Sequence, residues 1–261
     1  VVSTILPRVC ESLAPAKAKN FAGVFAELGA EGLKYFNALA EINSGLNRLG
    51  IPTPTITFAY APLDFIGDFL RHPTNVMLDL RRYPDDVKQA EEALTKPILN
   101  VALSLKPLKP ILAFIPLHLN EMLPPKLHDE FYWPYLRKII EELYKNDIRS
   151  FVFFEGDYTP FIDRILELPK GWGIAYFERA DIRKAKKILS GHCVIMGGIP
   201  PSLLLEATPQ KVEEYVKKLL EDMMPGGGFI IAPGVGEILP TTPTENLRAY
   251  INAVLKYGVY K

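Results

Sequence analysis

Apolar residues recur along this chain in two rhythms, a helical spacing of three to four residues and short unbroken runs of strand length. From Ala16 to about Arg48, the series Phe21, Phe25, Leu28, Leu33, Phe36, Leu39, Ile42 and Leu46 follows the helical steps, with Gly29 and Gly32 expected to divide the helix in two. Thr55 to Tyr60, a β-branched and aromatic run set among Pro52, Pro54 and Pro62, predicts a buried strand. Helical spacing resumes from Asp64 to Leu80 and from Asp85 to Leu105. Strands are then predicted at Ile111 to Ile115, Ser150 to Phe154, Gly173 to Phe177, Cys193 to Met196 and Gly228 to Ile231. Between and after them lie the predicted helices Lys126 to Lys145, Thr159 to Leu168, Asp181 to Leu189, Pro209 to Asp222 and Pro243 to Tyr257.

Most of these strands are continuously apolar, as strands covered on both faces should be. Asp181, Thr208 before Pro209 and Thr242 before Pro243 are expected to cap helices, the last two with proline at the first helical position. Repeated βα units imply either an open doubly wound sheet or a (β/α)8 barrel of the TIM type. No Gly-x-Gly-x-x-Gly follows a strand, which removes the main support for a dinucleotide-binding open sheet and favours the barrel. Six units are legible where a barrel needs eight, so the N-terminal part of the barrel is expected to be missing, its place lying before Val1. One domain over residues 1–261 is expected, with a helical segment at 1–50 and the βα units at 51–261.

Composition narrows the function classes. The 261 residues are 48% hydrophobic and 23% charged, an ordinary globular balance. Thirty basic residues match thirty acidic ones, which leaves no global field for nucleic acid or an anionic membrane. No run approaches the roughly 18 to 20 apolar residues of a membrane-spanning helix. Cys10 and Cys193 stand in no metal-like spacing and form no disulfide framework, so a reducing, cytoplasmic setting is expected.

In a barrel the chemistry sits just beyond the C-terminal ends of strands. There the chain places His118, then Glu155, Asp157 and Tyr158, then Glu178, and Gly197-Gly198. Glu155 directly ends the run Phe151 to Phe154, where an unpaired carboxylate would shift its pKa, bind a cation or pair with Arg164, Arg179 or Lys170. His118 is either a metal ligand, a general acid-base group or a satisfied loop histidine. Glu178 and Asp157 complete a mixed oxygen and nitrogen cluster suited to zinc or to proton transfer, and solvated loop charges are the plain alternative. The glycine pairs admit close backbone approach by a ligand or simply form tight turns. His72, His128 and His192 are poorer candidates, the first two on helices and the third at a strand start.

Several motifs in order resemble the uroporphyrinogen decarboxylase superfamily. They are the segment from His192 through Gly197-Gly198-Ile199-Pro200-Pro201, Thr208-Pro209, the segment Pro225 to Gly234, Thr242 to Asn246, and the ending Tyr257-Gly258, with Phe131 to Pro134 on the long helix. The resemblance covers the chain from about Pro62 onward and implies a (β/α)8 barrel. It also implies one of two chemistries, decarboxylation of a tetrapyrrole or zinc-dependent methyl transfer to or from corrinoid proteins and thiols. The decarboxylases' substrate-anchoring arginine and catalytic aspartate have no matching positions here.

Where the thiol-methylating branch carries its His-x-Cys and late Cys ligands, this chain has Phe153, Glu155 and Val235. Phe154-Glu155-Gly156-Asp157-Tyr158 instead looks like the variant of a uroporphyrinogen decarboxylase-like branch associated with demethylation, and a histidine ligand of that branch falls at Tyr176. The resemblance therefore implies a methyltransferase on a methylated small molecule, with a corrinoid protein as partner and zinc at Glu155, His118 and Glu178. Catalytic roles are expected for Glu155, His118 and Asp157, and substrate contacts for Tyr158, Tyr176, Gly197 and Gly198. A homodimer is among the expected assemblies. The rival readings are a cofactor-free decarboxylase that would use Arg71, Arg81 and Arg82, and a non-catalytic barrel that binds a corrinoid or substrate.

Overall fold

The computed structural model describes residues 21–51, 53, 55–108, 111–234 and 238–260. Cys10, Val235 and the first residues of the predicted N-terminal helix lie outside them. Helix α1 (Phe21–Arg48) runs unbroken through Gly29 and Gly32, because glycine costs a helix only about 1 kcal/mol relative to alanine and good helix formers flank both sites.

Strand β1 (Ile56–Phe58) is followed by the short α2 (Pro62–Phe65), a π-turn at Ile66–Arg71, α3 (Pro73–Arg82) and α4 (Pro84–Ser104). Next come β2 (Leu112–Leu117), a one-turn α5 (Pro125–Leu127), a second π-turn at His128–Tyr132, α6 (Trp133–Lys145) and β3 (Arg149–Phe154). The single predicted helix Lys126 to Lys145 is therefore interrupted, and the cause is Pro134. It lacks an N–H to donate to the preceding turn, and the backbone there widens to the π pattern before α6 resumes. A 3-10 segment at Thr159–Glu167 replaces the expected α-helix and leads to β4 (Gly173–Phe177), α7 (Ile182–Leu189) and β5 (Val194–Ile199). The chain then forms α8 (Pro201–Glu206), α9 (Pro209–Met223), β6 (Phe229–Pro233) and α10 (Thr244–Tyr257).

The six strands form one parallel sheet in sequence order β1-β2-β3-β4-β5-β6, with helical segments in every crossover. Unreversed strand order with parallel pairing throughout is the arc of a (β/α)8-type barrel, not a doubly wound sheet, whose order reverses at a switch point. The expectation that both strand faces are equally covered is corrected here. Along β2 and β3 buried and half-buried positions alternate, because helices seal one face while the barrel-interior face carries Phe114, Phe151 and Phe153 only partly covered. Under the helices Ala113, Ile115, Leu117, Val152 and Phe154 pack against residues such as Leu136, Ile139 and Leu143 of α6. Asn246, from the C-terminal motif, is buried and donates to the carbonyls of Leu204 and Ala207, fastening α10 to the end of α8. No helix among the described residues is long and apolar enough to cross a membrane.

Two acids lie inside this core. Asp64 and Glu91 are both fully buried, and neither Glu91 oxygen has a hydrogen-bond partner among the described residues. Loss of solvent drives the Glu91 carboxyl from 4.5 up to about 9, assisted by the nearby Asp64 charge and opposed by Lys88. Glu91 is therefore a neutral acid at pH 7. A carboxyl pKa raised on folding contributes stability that is whole below its unfolded value and is lost as pH rises through its folded value. Thermal unfolding is accordingly expected to show a Tm that falls between pH 5 and pH 9, and Glu91→Gln should make that fall shallower. A slope unchanged by the substitution would refute the assignment.

Candidate functional site

Register alone assembles the centre. Leu117 pairs with Phe154 and Phe154 with Phe177, so the residues immediately after them, His118, Glu155 and Glu178, stand in a row at the C-terminal edge of β2, β3 and β4. His118 Nε2 lies 3.5 Å from Glu155 Oε1, and both side chains are about one-third exposed, accessible to a ligand yet partly stripped of water.

The other side of His118 is held by a residue absent from the expected set. Asp68, on the π-turn after β1, has Oδ2 at 2.5 Å from His118 Nδ1. A widened turn of this kind often marks a functional position. Beneath it, buried Asp64 accepts from the Leu119 backbone N–H at 2.8 Å and from the Tyr132 hydroxyl at 2.5 Å, so the segment bearing His118 is tied to α2 and to the second π-turn. Burial lifts the Asp64 carboxyl to about 7, with its two hydrogen bonds opposing that rise. Tyr60, two residues beyond β1, sets its ring edge-on to His118 at 6.2 Å and packs with Phe65 and Phe69. The signal for Asp64 and Asp68 was present in the sequence, since both follow the first predicted strand and stand four residues apart, on one face of a helical turn.

Partial burial works against a charge on His118, but the Asp68 hydrogen bond and the negative charges of Asp68, Asp64 and Glu155 outweigh it and raise its pKa. Glu155 is also raised, first by desolvation and then by Glu178 and Asp68, with His118 pulling the other way. The pair therefore holds a proton above the usual range, with Asp68 fixing Nδ1 and leaving Nε2 turned toward Glu155.

The remaining expected residues are distributed around this pair. Glu178 is adjacent, but its Oε2 accepts from the Gly156 N–H at 2.5 Å. Asp157 caps its own loop through the Thr159 N–H at 2.9 Å. Glu121 accepts from the Asp157 N–H and pairs with Arg179, and Gly156, at φ +72, leaves no room for a Cβ beside the Glu121 carboxylate. Arg164 is taken by Asp129 and Arg179 by Glu121, so the ion pairs anticipated between these two arginines and Glu155 do not form.

Tyr158 is fully buried below the loop, its hydroxyl 3.3 Å from His128 Nε2. His128 stacks on Phe161 with ring centroids 3.9 Å apart, and burial depresses its pKa to about 4, so it is a neutral core histidine. Tyr176 lies against Phe153 on the interior face and donates to the Pro233 carbonyl at 2.5 Å. Gly197 and Gly198 are inside β5, not in a loop after it. A Cβ on Gly197 would approach the Phe177 carbonyl to 2.6 Å, and one on Gly198 the Leu219 side chain to 2.9 Å, so strand and helix packing explain both.

A catalytic zinc takes three protein ligands. No group of three His, Cys, Asp or Glu side chains is placed to hold a metal among the described residues. His118 and Glu155 supply two donors, while Glu178 is engaged by the loop. Cys193 is buried with its thiol pushed up to about 12, so it supplies no thiolate. This arrangement does not fit a three-ligand zinc site. What it can do is hold and transfer a proton at His118 Nε2.

The sequence model of the family described as Uroporphyrinogen decarboxylase (URO-D) matches residues 23–257. The chain belongs to that family. A uroporphyrinogen decarboxylase of Flavobacterium johnsoniae is 28% identical over 52% of this chain and 38% of its own length. The methylcobamide:CoM methyltransferase MtbA of Methanosarcina acetivorans is 26% identical over 52% of this chain and 39% of its own. Among solved structures, a methyltransferase from Methanosarcina mazei superposes with TM-score 0.65 at 19% identity, over 82% of this chain and 62% of that one. The matched region thus spans well under half the length of these curated relatives, and the uroporphyrinogen decarboxylase family as met here includes both decarboxylases and methyltransferases.

The imidazole's charge is directly measurable. By NMR titration His118 should protonate above the ordinary histidine value of about 6.5, and Asp68→Asn should lower its pKa from that of the parent, since desolvation then acts with less opposition. The stability contributed by the charged imidazole is whole below its unfolded pKa and is lost as pH rises through the folded one. An unchanged His118 titration in Asp68→Asn would contradict the pairing.

Proposed function

We propose that this chain carries the active-site edge of an enzyme that transfers a methyl group from a neutral methylated small molecule, a methyl ether first among them. His118 is the proton donor, Glu155 its facing carboxylate and Asp68 the residue that holds the imidazole. The observation that carries this reading is the sign of the charge at the strand ends. Asp68 and Glu155 flank His118, Asp64 lies buried beneath it and Glu178 acts on Glu155, while Arg71, Arg164 and Arg179 are each already paired with a carboxylate. Such a mouth repels a polycarboxylate and accepts a neutral substrate.

An ether oxygen leaves poorly as an alkoxide. In the proposed reaction the carbon–oxygen bond breaks, the methyl group passes to a nucleophilic acceptor, and the proton held at His118 Nε2 goes to the departing oxygen, so that an alcohol or phenol leaves. The acceptor in this reading is a corrinoid carried by a partner protein, to which no residue of this chain is assigned. The name of the Methanosarcina acetivorans relative, a methylcobamide:CoM methyltransferase, supports this choice within the family. Tyr60 and the interior aromatic face beside it supply an apolar wall for a small ligand. The free, buried Cys193 suits a reducing, cytoplasmic setting.

The test is turnover of methyl ethers, amines and thioethers with a reduced corrinoid acceptor, run beside uroporphyrinogen as the rival substrate. His118→Gln and Glu155→Ala should each lower methyl transfer by about 100-fold or more, the usual scale for losing a positioned acid-base group. Elemental analysis of the same three proteins separates the two modes of activation. Near-stoichiometric zinc in the parent, lost in both variants, would replace proton donation by a metal. Decarboxylation of uroporphyrinogen without methyl transfer would overturn the reading.

A further inference from the structure

At the opposite end of the sheet, far from the strand-end acids, the first residue of β3 is an arginine on the barrel-interior face. Arg149 alternates with Phe151 and Phe153 on that side and is the register partner of Leu112. Its guanidinium lies over the Tyr144 ring, 4.3 Å from the centroid, and its Nη1 is buried with no hydrogen-bond partner among the described residues. A guanidinium does not shed its proton at any physiological pH. An unsatisfied charged donor in an apolar setting is costly, so the position calls for an acceptor.

The space for one is present. Arg149 lines a cleft of about 430 Å3 across the starts of β2 to β6, together with Leu112, Ile174, Val194 and several glycines, and no carboxylate lines it. His192, at its rim, is bonded through Nε2 to the Ile165 carbonyl, and the buried Cys193 is a neutral thiol. Arg149 is thus the fixed positive charge of an otherwise apolar and glycine-lined cavity.

We propose that this cleft binds one oxyanion, a carboxylate or a phosphate, through the free edge of the Arg149 guanidinium. Such groups match the planar guanidinium in pairs of parallel hydrogen bonds, and the stacked Tyr144 ring fixes the plane in which they approach. The anion comes either from a small molecule or from an acidic side chain of a polypeptide seated on the barrel floor. The two share the same chemistry at Arg149.

Thermal unfolding of the parent, Arg149→Met and Arg149→Lys at constant ionic strength in chloride, phosphate and succinate tests this. The parent should gain a saturable rise of a few degrees in Tm with phosphate or succinate over chloride, Arg149→Lys a smaller one and Arg149→Met none. In chloride, Arg149→Met should unfold close to the parent, because the guanidinium forms no ion pair among the described residues and leaves Nη1 unbonded. A response to phosphate points to a small-molecule anion, and a response to succinate alone points to a carboxylate of the kind a side chain supplies. The guanidinium resonances of Arg149, followed by NMR in the parent through the same titrations, give a readout that does not depend on the variants folding. Unmoved resonances with phosphate and succinate, or an equal Tm gain in Arg149→Met, would overturn the proposal.

Discussion

The parallel register of β2, β3 and β4 is the constraint from which the site follows. Because Leu117, Phe154 and Phe177 are paired across the sheet, the residues one step further cannot avoid one another. Parallel strands point every C-terminal end the same way, so polar residues separated by dozens of positions in the chain meet at one edge. The packing that enforces this register is on the other face, where small and branched residues of the strands interlock with the amphipathic α6 and its neighbours. A register slip of one residue would turn each of these polar groups from the mouth toward the helices.

At that edge, two opposing electrostatic effects decide what the imidazole does. Desolvation alone would make His118 neutral, as it makes His128 neutral a short distance away in the core. The difference is the neighbours. His128 is enclosed by aromatic rings, whereas His118 has Asp68 on Nδ1, Glu155 toward Nε2 and Asp64 behind its backbone. One histidine is thereby a packing residue and the other an accessible group whose charge its acidic neighbours favour. The interior aromatic face and the strand-end acids then give an edge that is apolar below and acidic above, the combination from which the proposed substrate class is argued.

The family's fold tolerates this variation because the strands and helices carry the stability while the loops after the strands carry the chemistry. Here the loop after β3 is stabilised by its own polar groups. Glu178, Glu121 and Asp157 are spent on backbone N–H groups and on Arg179, which keeps Glu155 free to face His118. Glu178 and Asp157, read as residue types alone, look like further site groups.

The alternation of helix and strand rhythms, the parallel βα order and the polar residues that end each strand were determined by local sequence, since hydrophobic periodicity and proline and glycine punctuation are local properties. His118 and Glu155 were legible for that reason, and so was their common edge. Tertiary structure decided the rest. The four-residue spacing of Asp64 and Asp68 was legible, but only the π-turn brought Asp68 onto His118. Tyr158 went into the core because the loop folds it under, and Gly197 and Gly198 proved to be packing residues because β5 runs on through them. The partner that each polar group finds depends on the three-dimensional approach of segments distant in the chain, and so does whether a carboxylate is spent on the backbone or left to face an imidazole.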